Sequence, residues 1–181
     1  MAVQQKQRLG IMGGTFDPIH YGHLVTAEAA RHRFNLDKVI FVPSGHPPHK
    51  QERKLTLPDE RLMMTLLATV ANENFVVSDW EVRRPQISYT FDTMQAFHQQ
   101  YGDEAELFFI TGADAVLEIM QWRKIEELVD FCSFIAATRP GYHLIISVCR
   151  PSWLPSCILW RFRRWLFLPA IFGAGCKAVS R

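Results

Sequence analysis

After Asp130 the chain has no acidic residue at all. All 18 acidic residues and 14 of the 20 basic ones precede Ile145, so that part carries −4 while residues 145–181 carry +6. The overall charge of +2 conceals two stretches that differ in kind. Cysteine is scarce and poorly spaced for chemistry. Cys132, Cys149, Cys157 and Cys176 show neither zinc-type nor redox-type spacing, and they read as thiols without a metal or redox duty. No cleavable leader is expected, because MAVQQKQRLG is polar and runs straight into a strand pattern, and a cytoplasmic protein is the expectation. No long unbroken apolar run exists. The most apolar stretch, WLPSCILWRFRRWLFLPAIFGA, is interrupted by arginines, each disfavoured by about 2.5–3.5 kcal/mol at a bilayer centre. No internal repeat is visible, and with 48% of its 181 residues apolar the chain suits one domain with a real core.

What is present, up to about residue 142, is an alternation of apolar runs and helix-like segments in the order that a parallel α/β sheet requires. Strands are expected at residues 9–12, 39–43, 75–78, 107–111 and 134–138. TLPDERLMMTLLATVA reads as a helix with an apolar stripe, opened by a capping box from Thr56 to Asp59 with Pro58 in its first turn. TFDTMQAFHQQYG reads as another, ending at Gly102. Right-handed crossovers then give a doubly wound, Rossmann-like sheet whose ligand lies at the carboxyl ends of the strands.

The end of the first strand holds the densest chemistry, GGTFDPIHYGH, residues 13–23. Gly13 and Gly14 let the backbone approach a ligand. His20 and His23 are three apart, so a helix starting near Tyr21 puts both on one face of its first turn, beside unpaired N–H groups. Such a helix start is an anion site, and Gly22 leaves room for a phosphate. Taken alone, the two histidines read as a surface pair at a helix start. A zinc pair would lack a third ligand.

The complete string resembles the signature of the nucleotidylyltransferase superfamily. Four further blocks, VPSGHPPHK, ISYTFDT, FFITGADAV with Trp122, and ATRPGY, resemble in order the bacterial nicotinate-nucleotide adenylyltransferases, over residues 8–142. The resemblance implies transfer of AMP from ATP to nicotinate mononucleotide with release of pyrophosphate, Mg²⁺ accompanying the ATP. It implies that His20 and His23 contact the ATP phosphates as the catalytic pair. Gly13, Gly14, Thr15, Phe16, Gly112 and Asp114 would belong to the ATP side, and Lys50 would reach phosphate from either substrate. On the nicotinate mononucleotide side it implies Trp122 stacking on the ring, Tyr89 and Thr90 offering backbone N–H groups to the carboxylate, and Arg139 holding the phosphate. Asp17 reads as a turn former, since an ionised phosphate nucleophile needs no general base. His46 has no assigned role.

Competing readings are a pantetheine-phosphate adenylyltransferase, a glycerol-phosphate cytidylyltransferase and a non-catalytic nucleotide-binding remnant. ISYTFDT and the Trp122 block argue against the first two. After RPGY the family continues to a strand and a serine-serine-threonine motif followed by arginine, which this chain lacks. Residues 1–143 are therefore expected to form an incomplete nucleotidylyltransferase domain, without its last strand and helix and with activity impaired. Residues 144–181 form an atypical basic, aromatic tail. That tail reads as a segment not shaped by folding with the rest, such as an altered reading frame. Surface packing and a membrane-surface helix, limited by Pro155 and Pro169, are the alternatives. No nucleic acid is expected, nor any membrane except through the tail.

Overall fold

The computed structural model describes residues 6–48, 54–112 and 122–137, together with the backbone of 166–168. Strand β1 (Gln7–Gly14) leads through α1 (Tyr21–Arg33) to β2 (Lys38–Pro43), then α2 (Pro58–Thr69) and β3 (Phe75–Val77). Helix α3 (Thr90–Tyr101) follows, then β4 (Ala105–Gly112), α4 (Ile125–Phe131), β5 (Cys132–Ala137) and the short β6 (Leu166–Leu168). The sheet order is β3-β2-β1-β4-β5-β6, every described pairing parallel. This is the Rossmann-like doubly wound sheet the alternation predicts. The tail thus contributes three residues to the sheet edge; its other residues, and any helix following them, lie outside the described set.

Alternation along each strand builds a core on both faces. Leu9, Ile11, Ile40, Val42, Leu107 and Phe109 face α3 and α4, where Phe91, Met94, Phe97 and Leu128 complete the cluster. Met12, Val39, Phe41, Phe108 and Ile110 belong to the other cluster, which α1 covers with Ala27 and Ala30. Both alanines are fully buried, and their small side chains let the helix lie close to the strands. No helix among the described residues is long and apolar enough to cross a membrane.

The register shows where the sheet opens. β1 pairs with β4 from Gln7↔Ala105 only as far as Ile11↔Phe109. Beyond that point β1 stays with β2 to Gly14↔Pro43, while β4 stays with β5 to Gly112↔Ala137. The two central strands therefore part at their carboxyl ends, where the strand order reverses. A crevice at that switch point is the default ligand position of such a sheet.

Helix α2 differs from its sequence reading in two respects. Its N-cap is Leu57 with Pro58 at the first helical position, and no side chain caps it. Thr56 does not form the expected capping box, because its neighbours claim its backbone: its N–H donates to Asp17 Oδ2 at 3.1 Å and its carbonyl accepts from Arg61 Nε at 3.0 Å. The apolar stripe also faces the wrong way. Met63, Leu66, Leu67 and Val70 are exposed, whereas Arg61, Thr65 and Thr69 are buried alongside Leu62. Thr65 and Thr69 satisfy their hydroxyls on the carbonyls four residues back, at 2.8 Å each. Arg61 uses the loops above the sheet, as described below.

Between β2 and α2 the chain passes so close to Glu81 that a Cβ on Gly45 would lie 2.3 Å from the Glu81 carbonyl oxygen. Both partners there are backbone and neither can step aside. Gly45→Ala is expected to lower stability by about 2–3 kcal/mol, read as a lower urea midpoint with an unchanged slope.

Candidate active site

The parted ends of β1 and β4 open into a cleft of about 380 Å³. Gly13, Gly14 and Thr15 line it from the β1 loop, Phe109 and Thr111 from β4, and Ser88, Tyr89 and Thr90 from the start of α3. Trp122 and Arg123 line it from the segment before α4, and Ser44, Pro47 and Pro48 from the loop after β2. The Trp122 ring is half-buried and set edge-on against Phe109, with centroids 5.7 Å apart at 86°, and packs at 61° on Phe134. Core packing and cleft lining are therefore both true of this tryptophan. Two aromatics hold the indole still while part of it remains open to a ligand.

Tyr89 is the N-cap of α3 and Thr90 its first residue. The first-turn N–H groups of this helix have no intrahelical acceptor and lie at the cleft, as an anion site requires.

His20 and His23 lie at the start of α1, into which the cleft's glycine loop leads, and neither is among the residues that line the cleft. His20 is the N-cap, and His23 Nδ1 accepts its backbone N–H at 3.2 Å. The two rings stack with centroids 3.8 Å apart. A neutral ring whose Nδ1 accepts a hydrogen bond carries its proton on Nε2. Phe16 lies behind this pair. It is buried, with φ 47°, its ring edge-on to His23 at 5.0 Å and packed where a Gly14 side chain would be. Its place is under the glycine loop and off the cleft wall. Gly112 ends β4 next to Thr111, half-buried. Lys50, Asp114 and Arg139 lie outside the described residues.

Several residues that sequence reasoning missed hold the loops of the cleft together. Arg61, 1% exposed, donates Nη1 to the Thr15 carbonyl at 2.6 Å, Nη2 to that of Gly45 at 3.1 Å and Nε to that of Thr56 at 3.0 Å. One guanidinium thereby ties the loops that follow β1 and β2 to α2. Burial lowers its pKa, and the nearby charges of Asp17 and Glu81 oppose the shift. Ser88 Oγ accepts the N–H groups of Gly45 and His46 at 3.1 and 3.3 Å, and the Ser88 N–H donates to the His46 carbonyl. His46 thus serves through its backbone, joining the β2 loop to the start of α3. Glu81, also buried, accepts the Thr93 hydroxyl from the first turn of α3. Its pKa is raised above 4.5 by burial, with the hydrogen bonds from Thr93 and Ser88 and the charges of Arg84 and Arg61 pulling it back. Ser44 Oγ is the buried side-chain polar atom with no partner among the described residues, and Ser44 lines the cleft. The polar stripe Arg61, Thr65, Thr69, spaced by four, was the one sequence signal that α2 buries hydrogen-bonding groups.

The cytidylyltransferase-like family matches residues 11–177. The chain belongs to that family. A curated relative from Thermoanaerobacter sp. (strain X514), named probable nicotinate-nucleotide adenylyltransferase, is 59% identical over 139 residues, covering 77% of this chain and 66% of the relative. One of the same name from Leifsonia xyli subsp. xyli is 48% identical over 144 residues, covering 80% and 70%. The chain spans just under two thirds of the length of the first relatives it matches, 66% and 65%. A solved Plasmodium falciparum nicotinic acid mononucleotide adenylyltransferase complexed with NaAD superposes with a TM-score of 0.70 at 19% identity, over 93% of this chain and 77% of that one. At that identity the likeness is one of fold, and it agrees with the doubly wound sheet.

Two outcomes test this architecture. Arg61→Met leaves three loop carbonyls without their donor and is expected to cost about 3 kcal/mol of stability in urea unfolding. Glu81 binds its proton more tightly in the folded chain than in the unfolded one. Its contribution is therefore full below pH 4.5 and is lost as the pH rises through its folded value. Glu28, lowered chiefly by the hydrogen bond from Arg31, tilts the opposite way. The difference in urea stability between wild type and Glu81→Gln isolates the first effect, and it should fall as the pH rises from 4.5.

Proposed function

We propose that the chain transfers the adenylyl group of ATP to nicotinate mononucleotide, forming deamido-NAD and pyrophosphate. The observation that carries this reading is the juxtaposition at the switch point. The glycine loop, Gly13 to Thr15, meets in one cleft an anion-suited helix start at Tyr89 and Thr90 and a ring platform at Trp122, and the same loop leads on to the His20–His23 helix start. A triphosphate suits the first part, and a pyridine ring bearing a carboxylate suits the second. The names of the curated relatives support the same assignment.

In this reading a phosphate oxygen of nicotinate mononucleotide attacks the α-phosphorus of ATP in line. The new P–O bond forms as the bond to the β-phosphate oxygen breaks, and pyrophosphate leaves with that electron pair. The nucleophile is already ionised near neutral pH, so no side chain need remove a proton. The imidazoles of His20 and His23 and the N–H groups at the α1 start contact the triphosphate and take up charge as it moves onto the leaving group. Asp17 keeps its role in the loop, through its hold on the Thr56 N–H. Phe16 supports the glycine loop from beneath, and Lys50, Asp114, Gly112 and Arg139 complete the two binding sides.

No group of three His, Cys, Asp or Glu able to hold a metal occurs among the described residues. We assign Mg²⁺ to the ATP phosphates, as part of the substrate. Residues 1–143 are the adenylyltransferase part in this proposal, with residues 144–181 an atypical tail. Relatives align over 139 and 142 residues, close to the length of that part, although the family match runs on to residue 177.

The test is pyrophosphate release by the purified full chain from ATP and nicotinate mononucleotide, with phosphopantetheine as the competing acceptor. Release with the pyridine nucleotide alone supports the proposal. Release with phosphopantetheine alone, or ATP binding without any release, overturns it. His20→Ala is expected to lower kcat by about 100-fold and to change urea stability by less than about 1 kcal/mol.

A further inference from the structure

Among the described residues lining the cleft there is one cation, Arg123, and it has no role in the transfer derived above. It directly follows Trp122, the ring platform, and precedes Lys124, whose left-handed backbone (φ 55°) turns the chain into α4. Lys124 is directed elsewhere, with Nζ 4.7 Å above the Phe91 ring and 3.4 Å from Glu127 Oε2. The Arg123 guanidinium lies 5.1 Å over the Tyr89 ring, at the N-cap of α3. Its Nη1 is 3.1 Å from Asp92 Oδ2, in the first turn of the same helix, with 49% of the arginine side chain and 23% of the aspartate exposed.

This arrangement puts one carboxylate, that of Asp92, on the cleft-lining arginine, and the proposed substrate brings another. Asp92 is stabilised at the α3 start by the same unpaired N–H groups and helix field that suit a ligand anion. Without a cation it would repel an incoming carboxylate at short range. Arg123 neutralises Asp92 and, being half-exposed, is held by a weak, solvent-screened pair. A planar guanidinium with five donors can keep one edge on Asp92 and turn another to a second carboxylate.

We infer that Arg123 is the residue that selects an acidic pyridine ring over its neutral amide in this cleft, by giving its guanidinium to the ring carboxylate beside Trp122. The inference rests on the proposed activity and names the side chain behind its substrate preference. A carboxamide at the same position offers no charge to the guanidinium and leaves the Asp92 pair undisturbed, so it gains nothing from Arg123.

Binding of nicotinate mononucleotide, nicotinamide mononucleotide and ATP to the full chain is measured by calorimetry, without turnover, for wild type, Arg123→Ala, Arg123→Lys and Asp92→Asn. Arg123→Ala should weaken the acidic mononucleotide about tenfold while moving the amide and ATP by less than about twofold. Arg123→Lys should recover part of that loss. Asp92→Asn should tighten the acidic ligand, because the competing carboxylate is gone. A ratio of acid to amide affinity unchanged in Arg123→Ala, or already equal in wild type, overturns this inference and leaves the transfer reaction standing. Failure of wild type to bind either mononucleotide overturns the reaction, and the inference with it.

Discussion

A single buried guanidinium joins everything that surrounds the cleft. Arg61 donates to carbonyls of the β1 loop, the β2 loop and the segment before α2, and no carboxylate lies within 4.0 Å of it among the described residues. Burying an unpaired charge is tolerable only when its N–H groups are well used, and here three well-directed carbonyls use them. The orientation of α2 follows. Turning its apolar side inward would withdraw Arg61 from those carbonyls, so Met63, Leu66, Leu67 and Val70 face water instead. The helix is positioned by polar bonds to loops, and its exposed apolar face is the consequence.

The fold was legible because burial on both faces writes itself into strands as unbroken apolar runs. VIFVP and LFFIT read as strands, and each appears where expected, extended by one to three residues through backbone pairing that side chains do not encode. The helix start at Tyr21 and the stop at Gly102 were equally readable, from residue types that suit those positions. Helix α2 departs from its apolar pattern for a physical reason. An apolar stripe predicts the buried face only when apolar contact decides it, and the hydrogen-bonding demand of Arg61, Thr65 and Thr69 decided it here.

At the site, a motif signals what lines the cleft better than what holds those groups in place. Gly13, Gly14, Thr15, Tyr89, Thr90 and Trp122 were named from the sequence and meet in the cleft. Glu81 lies outside every motif, and Ser88 and Thr93, although part of ISYTFDT, show no role there, because their importance lies in partners 7 to 43 residues away. Phe16 illustrates the same division: within the most recognisable string of the chain, it is a packing residue under the loop.

The parting of β1 and β4 after Ile11 and Phe109 has a further meaning. The opening is set by main-chain pairing to β2 on one side and β5 on the other, so it exists before any ligand arrives. Binding energy is not drawn upon to pry the strands apart. The cleft is preorganised by register, and substitutions along its walls can alter what it accepts without deciding whether there is a cleft at all.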